Sequence, residues 1–282
     1  MQKQGNTAMI HPTAIIAAGA RLGVNVEVGP FAVIDDHVEV GDNCRIGPHV
    51  HLSGWTKIGA GTHLHTGAVI GDEPQDLHFT GEESHTVIGS GCMIREYVTV
   101  HRGAKPGSVT EVGDNVMLMA MAHLGHNCRI GAGAILANNT VLAGHVEVGE
   151  RAFLSGRVLV HQFCRIGPLA IISGGALIYQ DVPPFCMFRT GCVRTANVVG
   201  MRRAGIDAAS RLAVRQAIKL SFYEKMTRPV IIAKLEELFG ERIPAVVTFR
   251  KFFEATKRGI APGPASWRPV KGDDTDREPR DD

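Results

Sequence analysis

From Ile10 to Ile70 an Ile, Leu or Val stands at every sixth position, through Ile16, Leu22, Val28, Ile34, Val40, Ile46, Leu52, Ile58 and Leu64. The register resumes at Ile88, Ile94 and Val100, and again from Val112 to Ile178. Two residues before each such position the side chain is small or β-branched, as at Ala14, Ala20, Val26, Ala32, Val38 and Cys44, so two inward positions share one period. A period of six fits neither the 3.6-residue turn of an α-helix nor the heptad of a coiled coil. It fits a parallel β-helix, in which each coil buries its inward side chains only against the coils above and below. One hexad then makes one face, and three hexads one coil, of a prism of triangular section. Gly directly after the aliphatic residue, as in Val28-Gly29, Val40-Gly41, Ile46-Gly47 and Ile58-Gly59, suits tight corners, and the Asn residues nearby tolerate a left-handed one.

Two polar stretches, 71–86 and 102–110, interrupt the register and are expected to project as loops, where binding residues concentrate. Beyond Asp181-Val182-Pro183-Pro184 the period is lost. A helical pattern follows, with Asp207 as N-cap and Leu212, Val214, Ala217, Ile218, Leu220 and Phe222 as its apolar positions, then further helices over Val230 to Phe239 and Pro244 to Arg258. The expected organisation is an N-terminal extension over 1–9, a β-helix over 10–189, an α-helical C-terminal domain over 190–262 and a disordered tail rich in Pro, Gly and charge over 263–282.

Composition narrows the class. With 44% hydrophobic residues, 21% charged and a formal charge of +2, the chain lacks the basic excess of a nucleic-acid binder. The start is polar, without the apolar stretch of a signal peptide, and the β-branched runs are punctuated by Gly and charge. The expectation is a cytoplasmic protein with no stable membrane insertion. Cys44, Cys92, Cys128 and Cys164 fall on the small inward position, where a thiol packs as a small apolar group. Cys128 and Cys164 lie two coils, or about 10 Å, apart, too far for a disulfide.

A repeat scaffold does not name a function, so the residues off the register must decide. His101, His123, His126, His145 and His161 fall within a few coils, none on the inward aliphatic position. On a prism they point outward, or into a cleft against a neighbouring subunit. Imidazole titrates near neutral pH and serves equally as base, hydrogen-bond partner or metal ligand.

The segments Ile94-Arg-Glu-Tyr-Val-Thr-Val-His101-Arg102-Gly103, Ala122-His123-Leu124-Gly125-His126-Asn127-Cys128, Leu136 to His145, Val160-His161-Gln162-Phe163-Cys164 and Gln180-Asp181-Val182-Pro183-Pro184, with Gln75-Asp76-Leu77 in the first loop, resemble the UDP-N-acetylglucosamine O-acyltransferases of lipid A biosynthesis. The likeness runs from about residue 10 to 260. It implies a left-handed solenoid, a homotrimer with its active site between subunits, and transfer of a 3-hydroxyacyl chain from acyl carrier protein to the 3-hydroxyl of the sugar nucleotide. The carrier's thioester is the donor, and no cofactor or metal is implied. His126 takes the place of the general base and Gly144 that of the backbone oxyanion donor. Gln75, Asp76, His101, His123, His145, His161, Gln162, Asn197 and Arg203 take substrate-side positions, and Gly174 the position that measures acyl length. Arg202, Lys219 and Lys225 are further candidates for carrier or phosphate recognition.

The chain departs from that pattern at His78, Met121, Asn127, Val199 and Ala204. A modified sugar nucleotide therefore stays open as acceptor. A metal hydrolyase of the carbonic anhydrase type using His123 and His126 with His101 or His145, the N-acyltransferase later in the same pathway, and a non-catalytic β-helix scaffold are the rival readings.

Overall fold

Two-residue strands alternate with four-residue corners in the computed structural model, which describes residues 9–264. Residues 1–8 of the expected extension and 265–282 of the expected tail lie outside the described residues. The strands stack into three faces, sheets of eleven, nine and eight strands, and form a left-handed parallel β-helix followed by a small helical region. On the first face Glu27 pairs with Arg45 and Arg45 with His63, one coil for every 18 residues. The spacing widens to 30 between His63 and Met93, where the first loop is inserted, and to 24 between Met93 and Met117, where the second is.

The six-residue register is the core. From Val28 to Ile178 its aliphatic side chains are at most 4% exposed, and the small partners Val26, Ala32, Val38, Cys44 and Ala68 are fully buried. Ile10 is 45% exposed, and Ile16 and Leu22 half-buried, because among the described residues no coil lies beneath this first one. All six cysteines are free thiols in the interior.

The corners differ from expectation in their physics. Where a glycine follows the aliphatic residue it is required by crowding between coils: a Cβ on Gly29 would meet Pro48 N at 2.9 Å, and one on Gly59 would meet the Gly89 backbone at 2.5 Å. The left-handed position comes two residues later, filled by Asn25, Asn43, Asn115 and Asn139 but also by Phe31, Tyr97, His145 and Phe163. Its φ values lie near 60°, a conformation that costs a side chain about 1 kcal/mol and is imposed here by the repeat.

Each face carries a different outward column. On the upper coils the first face presents Met93, Met117, Ile135, Phe153 and Ile171 in register. The second presents His123, Val141, Leu159 and Leu177. The third alternates in sign through Glu111, Arg129, Glu147 and Arg165.

Past the last coil the chain does not turn helical at once. The expected helical segment beginning at residue 190 opens instead with Cys192–Ala196, a strand antiparallel to Cys186–Arg189. Helices α1 (Val198–Arg203), α2 (Ala208–Tyr223), α3 (Arg228–Phe239) and α4 (Pro244–Glu254) follow. The Asp207 carboxylate caps α2 by accepting from Ser210 N–H at 2.9 Å, and α3 and α4 each start with a proline in the first turn, where no N–H partner is lost. Val214, Ile218, Leu235, Phe249 and Phe253 form the helical core. Leu212, expected among them, is 54% exposed. The last helix stops at Glu254 rather than Arg258, because the chain then returns in extended form to Asp181, with Asp181 and Ile260 bridged in parallel.

Candidate active site

The edge where the second face turns into the third stacks the corners Gly125-His126-Asn127, Ala143-Gly144-His145 and His161-Gln162-Phe163 on successive coils. Both loops leave from the same edge just below, after the strands Val69–Asp72 and Thr99–His101. One edge therefore collects five histidines and both insertions.

His126 is held in a defined state. The amide oxygen of Asn127 accepts from Ala104 N–H in the second loop at 3.1 Å and lies 2.9 Å from His126 Nδ1. A backbone N–H only donates, so the atom facing it is the oxygen, and the imidazole nitrogen facing that same oxygen must carry a proton. The neutral ring then has its lone pair on Nε2. Asn127 is itself fixed by its N–H, which donates to Thr110 Oγ1 at 2.7 Å.

Nε2 lies against Gly144. A Cβ on Gly144 would stand 2.5 Å from it, so only glycine lets the ring rest there. The Gly144 N–H meets no acceptor among the described residues. A lone-pair nitrogen and a free backbone donor thus sit side by side at one corner. His145 meets His126 edge to face, at 5.1 Å between centroids, and stacks on Phe163 at 4.7 Å.

His123 stands outward on the second face one strand before His126, its Nδ1 2.7 Å from Thr99 Oγ1, and it meets His101 edge to face at 5.2 Å. Burial, then the neighbouring His101, depresses the His123 pKa to about 4, so it is a neutral hydrogen-bonding group at neutral pH. His145 is likewise lowered, first by burial, then by His126 and by Lys105 in the second loop, with Asp76 opposing. Asp76 is held below the usual carboxylate range, first by the His78 N–H, then by the His78 ring, with His126 adding to the effect. Both loops therefore place charge close to His126 and His145, an acid from the first and a cation from the second. Gln75 is exposed beside Asp76. His101 Nδ1 contacts the Glu73 carbonyl and so ties the first loop to the next coil. His161 and Gln162 sit one coil above Gly144, Gln162 exposed.

The expected residues do not all gather there. Gly174 lies on another edge, between the first and second faces, three coils above the level of His123, or about 14 Å along the axis. Asn197 and Arg203 belong to the remaining edge, between the third face and the first: Asn197 Nδ2 donates to Leu169 O at 2.8 Å, and the Arg203 carbonyl accepts from Arg151 at 3.2 Å. Asn197 is 4% exposed and its amide oxygen caps α1 through Gly200 N–H at 2.8 Å, so both ends of the side chain are used inside the chain. The expected substrate contact is in this structure a helix cap and a clasp. Thr99, Lys105 and the orienting role of Asn127 are absent from the sequence reading. The interruption of the register marked the loop that holds Lys105, but nothing in the sequence said which of its polar residues turns back. Among the described residues no three metal-capable side chains converge.

The chain is similar to known proteins over most of its length. A family model described as Udp N-acetylglucosamine O-acyltransferase, domain 2, matches residues 181–261, and one described as bacterial transferase hexapeptide matches 37–72 and 110–144. Among solved structures, a UDP-N-acetylglucosamine acyltransferase from Bacteroides fragilis is 36% identical over 89% of this chain and 99% of its own, with a TM-score of 0.86. One from Francisella novicida is 32% identical over 91% and 95%, with a TM-score of 0.87. One from Arabidopsis is 32% identical over 90% and 100%, with a TM-score of 0.78.

Proposed function

The chain belongs to the UDP-N-acetylglucosamine O-acyltransferase family, and on that premise we propose that it transfers a 3-hydroxyacyl chain from acyl carrier protein to the 3-hydroxyl of UDP-N-acetylglucosamine, the first step of lipid A biosynthesis. The observation that carries this reading is the apposition of His126 Nε2 and the Gly144 N–H, with Asn127 fixing the proton on Nδ1.

A sugar hydroxyl is a weak nucleophile, so its proton must leave as it attacks. The hydroxyl oxygen adds to the thioester carbonyl while His126 Nε2 takes the proton. The carbonyl oxygen becomes an oxyanion that accepts from the Gly144 N–H. Collapse breaks the carbon–sulfur bond, and the departing thiolate recovers the proton from the imidazolium. No covalent enzyme intermediate is needed. Asn127 orients the ring but, being neutral, lends the imidazolium no charge. His123 and His145, kept neutral by their surroundings, suit hydrogen bonding to an uncharged sugar rather than to its phosphates.

The outward columns support a trimer. Two faces expose apolar ladders on the upper coils while the third is charged, so association would bury the first two. It would also bring the edge bearing Asn197 and Arg203 of one subunit toward the histidine edge of the next. Between His123 and the coil of Gly174 the second face offers Val141, Leu159 and Leu177, an apolar path for the acyl chain. Glycine at 174 packs close to the coil below, where a Cβ would come within 3.2 Å of Gly156 O, and by its place in the family pattern it would leave room at the end of that path. No described helix is long and apolar enough to cross a membrane, and the proposed compartment is the cytoplasm, where carrier and sugar nucleotide meet.

The test is product mass after incubation with UDP-N-acetylglucosamine and 3-hydroxyacyl carrier proteins of several lengths. His126→Ala lowers kcat by about a thousandfold if it is the base. Full activity in that variant would remove His126 from the mechanism, and no transfer by the native protein would favour an altered acceptor, with Val199 and Ala204 the first positions to question, or a scaffold.

A further inference from the structure

After α4 the chain returns to the solenoid and is clasped there. Thr256 Oγ1 donates to Asp181 Oδ2 at 2.7 Å, Asp181 N–H donates to Gly259 O at 2.8 Å, and Ala261 N–H donates to Asp181 O at 2.8 Å. Asp181 is 1% exposed and also accepts from Arg165 Nε at 3.1 Å, so the clasp rests on a buried carboxylate whose charge is matched. Between its anchor points the segment makes a tight turn, with Gly259 at a φ of 77°. The side chain projecting from that turn is Arg258.

Arg258 reaches the edge that carries the histidines. Its Nη2 donates to Tyr179 O at 3.2 Å and lies 3.3 Å from His161 Nδ1. The guanidinium is close enough to Cys164 to oppose the burial that raises that thiol's pKa. Among the described residues no carboxylate pairs with it, and its contacts with Tyr179 O, His161 Nδ1 and the Cys164 thiol leave donors to spare among its five N–H groups. A permanent cation with unused donors therefore stands beside His161, one coil above the Gly144 corner. Arg165 and Arg250, by contrast, are matched by acids: Arg165 pairs with Asp181, and Arg250 with Glu236 and Glu254.

We propose that Arg258 is a phosphate contact of the active site, delivered to His161 by the C-terminal clasp. The proposal rests on the reading of the site as one for a sugar nucleotide and a carrier-bound thioester, because both bring phosphate: the diphosphate of the acceptor and the phosphodiester of the carrier's pantetheine arm. A guanidinium binds either through paired N–H donors without competing for a proton at any working pH.

The experiment compares full-length Arg258→Ala, Arg258→Lys and Thr256→Ala with the native protein. It measures kcat, both KM values, UDP affinity by calorimetry and thermal unfolding. The expected result for Arg258→Ala is a roughly tenfold rise in one KM, the scale of one hydrogen bond to a charged group, with kcat and unfolding temperature close to native and most of the loss recovered by Arg258→Lys. A matching fall in UDP affinity assigns the contact to the acceptor's diphosphate; unchanged UDP affinity with a raised donor KM assigns it to the pantetheine arm. Both KM values within twofold of native would overturn the proposal. So would a parallel loss of kcat and unfolding temperature like that of Thr256→Ala, since that pattern describes a strut. If the native protein transfers nothing yet UDP affinity still falls in Arg258→Ala, the phosphate contact stands and the proposed reaction fails.

Discussion

A methyl group on Gly144 would stand 2.5 Å from His126 Nε2 and within 2.6 Å of Cε1, so Gly144→Ala pushes the imidazole off its position without touching the core. We expect kcat to fall by about a hundredfold or more while the unfolding temperature changes by only a few degrees, as steady-state kinetics and thermal unfolding will show. Asn127→Asp probes the same corner: a carboxylate still accepts from Ala104 and His126, and its charge favours the imidazolium. The acid limb of the kcat profile should then move up by on the order of one pH unit. His123 makes a stability prediction. Its folded pKa of about 4 lies below the 6.5 of an unperturbed imidazole, so below pH 6.5 the unfolded chain takes up a proton that the folded one refuses. Stability is fully present above pH 6.5 and is lost as pH falls toward 4, by about 2 kcal/mol after discounting for partial exposure. Denaturant unfolding of the native protein and His123→Gln across that range tests it: the two should differ in slope there and run parallel above it.

At the scale of elements, the sequence pattern and the structure agree where one short stretch decides alone. Asp207 caps α2 because its carboxylate reaches Ser210 N–H three residues away, and Asp207→Ala should cost about 1 kcal/mol in denaturant unfolding. The return segment after Glu254 was not legible. The helical pattern was expected to run on to Arg258, but Asp181, far away in sequence, offers a buried carboxylate and two backbone groups, and the clasp outweighs local preference. Asp181→Ala leaves Arg165 without its carboxylate and removes the Thr256 anchor. A loss of roughly 3 kcal/mol is expected, with new protease cutting between 255 and 264, readable by limited proteolysis and mass. The loops show the same division: the broken register marks where they lie, though strands Val69–Asp72, His85–Ile88 and Val109–Val112 run about two residues into the expected ranges, and the approach of Asp76 and Lys105 to His145 needed the edge on which both loops leave the solenoid.

For the whole molecule the outward columns matter most. Ile135 and Phe153 lie on the apolar ladder of the first face, where a charge would be unpaired inside an association surface and harmless on a free one. Phe153→Asp should therefore shift the protein toward monomer by light scattering, with the β-helix intact by circular dichroism and activity lost with the trimer. A native protein that is already monomeric and active would overturn the shared-site reading. The assignments of Asn197 and Arg203 divide at this scale as well. Asn197 is occupied as a cap and a clasp, whereas Arg203 is exposed at the end of α1, where the proposed trimer would turn it toward the next subunit.

The sequence by itself determined the repeat, the inward columns, the buried inward thiols and where the register breaks. Each follows from a period or a contiguous motif, because in a solenoid a residue's neighbours are set by its register. Only the tertiary structure decided which face each outward residue joins, which nitrogen of His126 is free, that Asn197 faces inward and that Arg258 reaches His161. Those depend on corners, loops and a C-terminal return whose partners lie 23 to 97 residues away, and pairings across such distances leave no period to read.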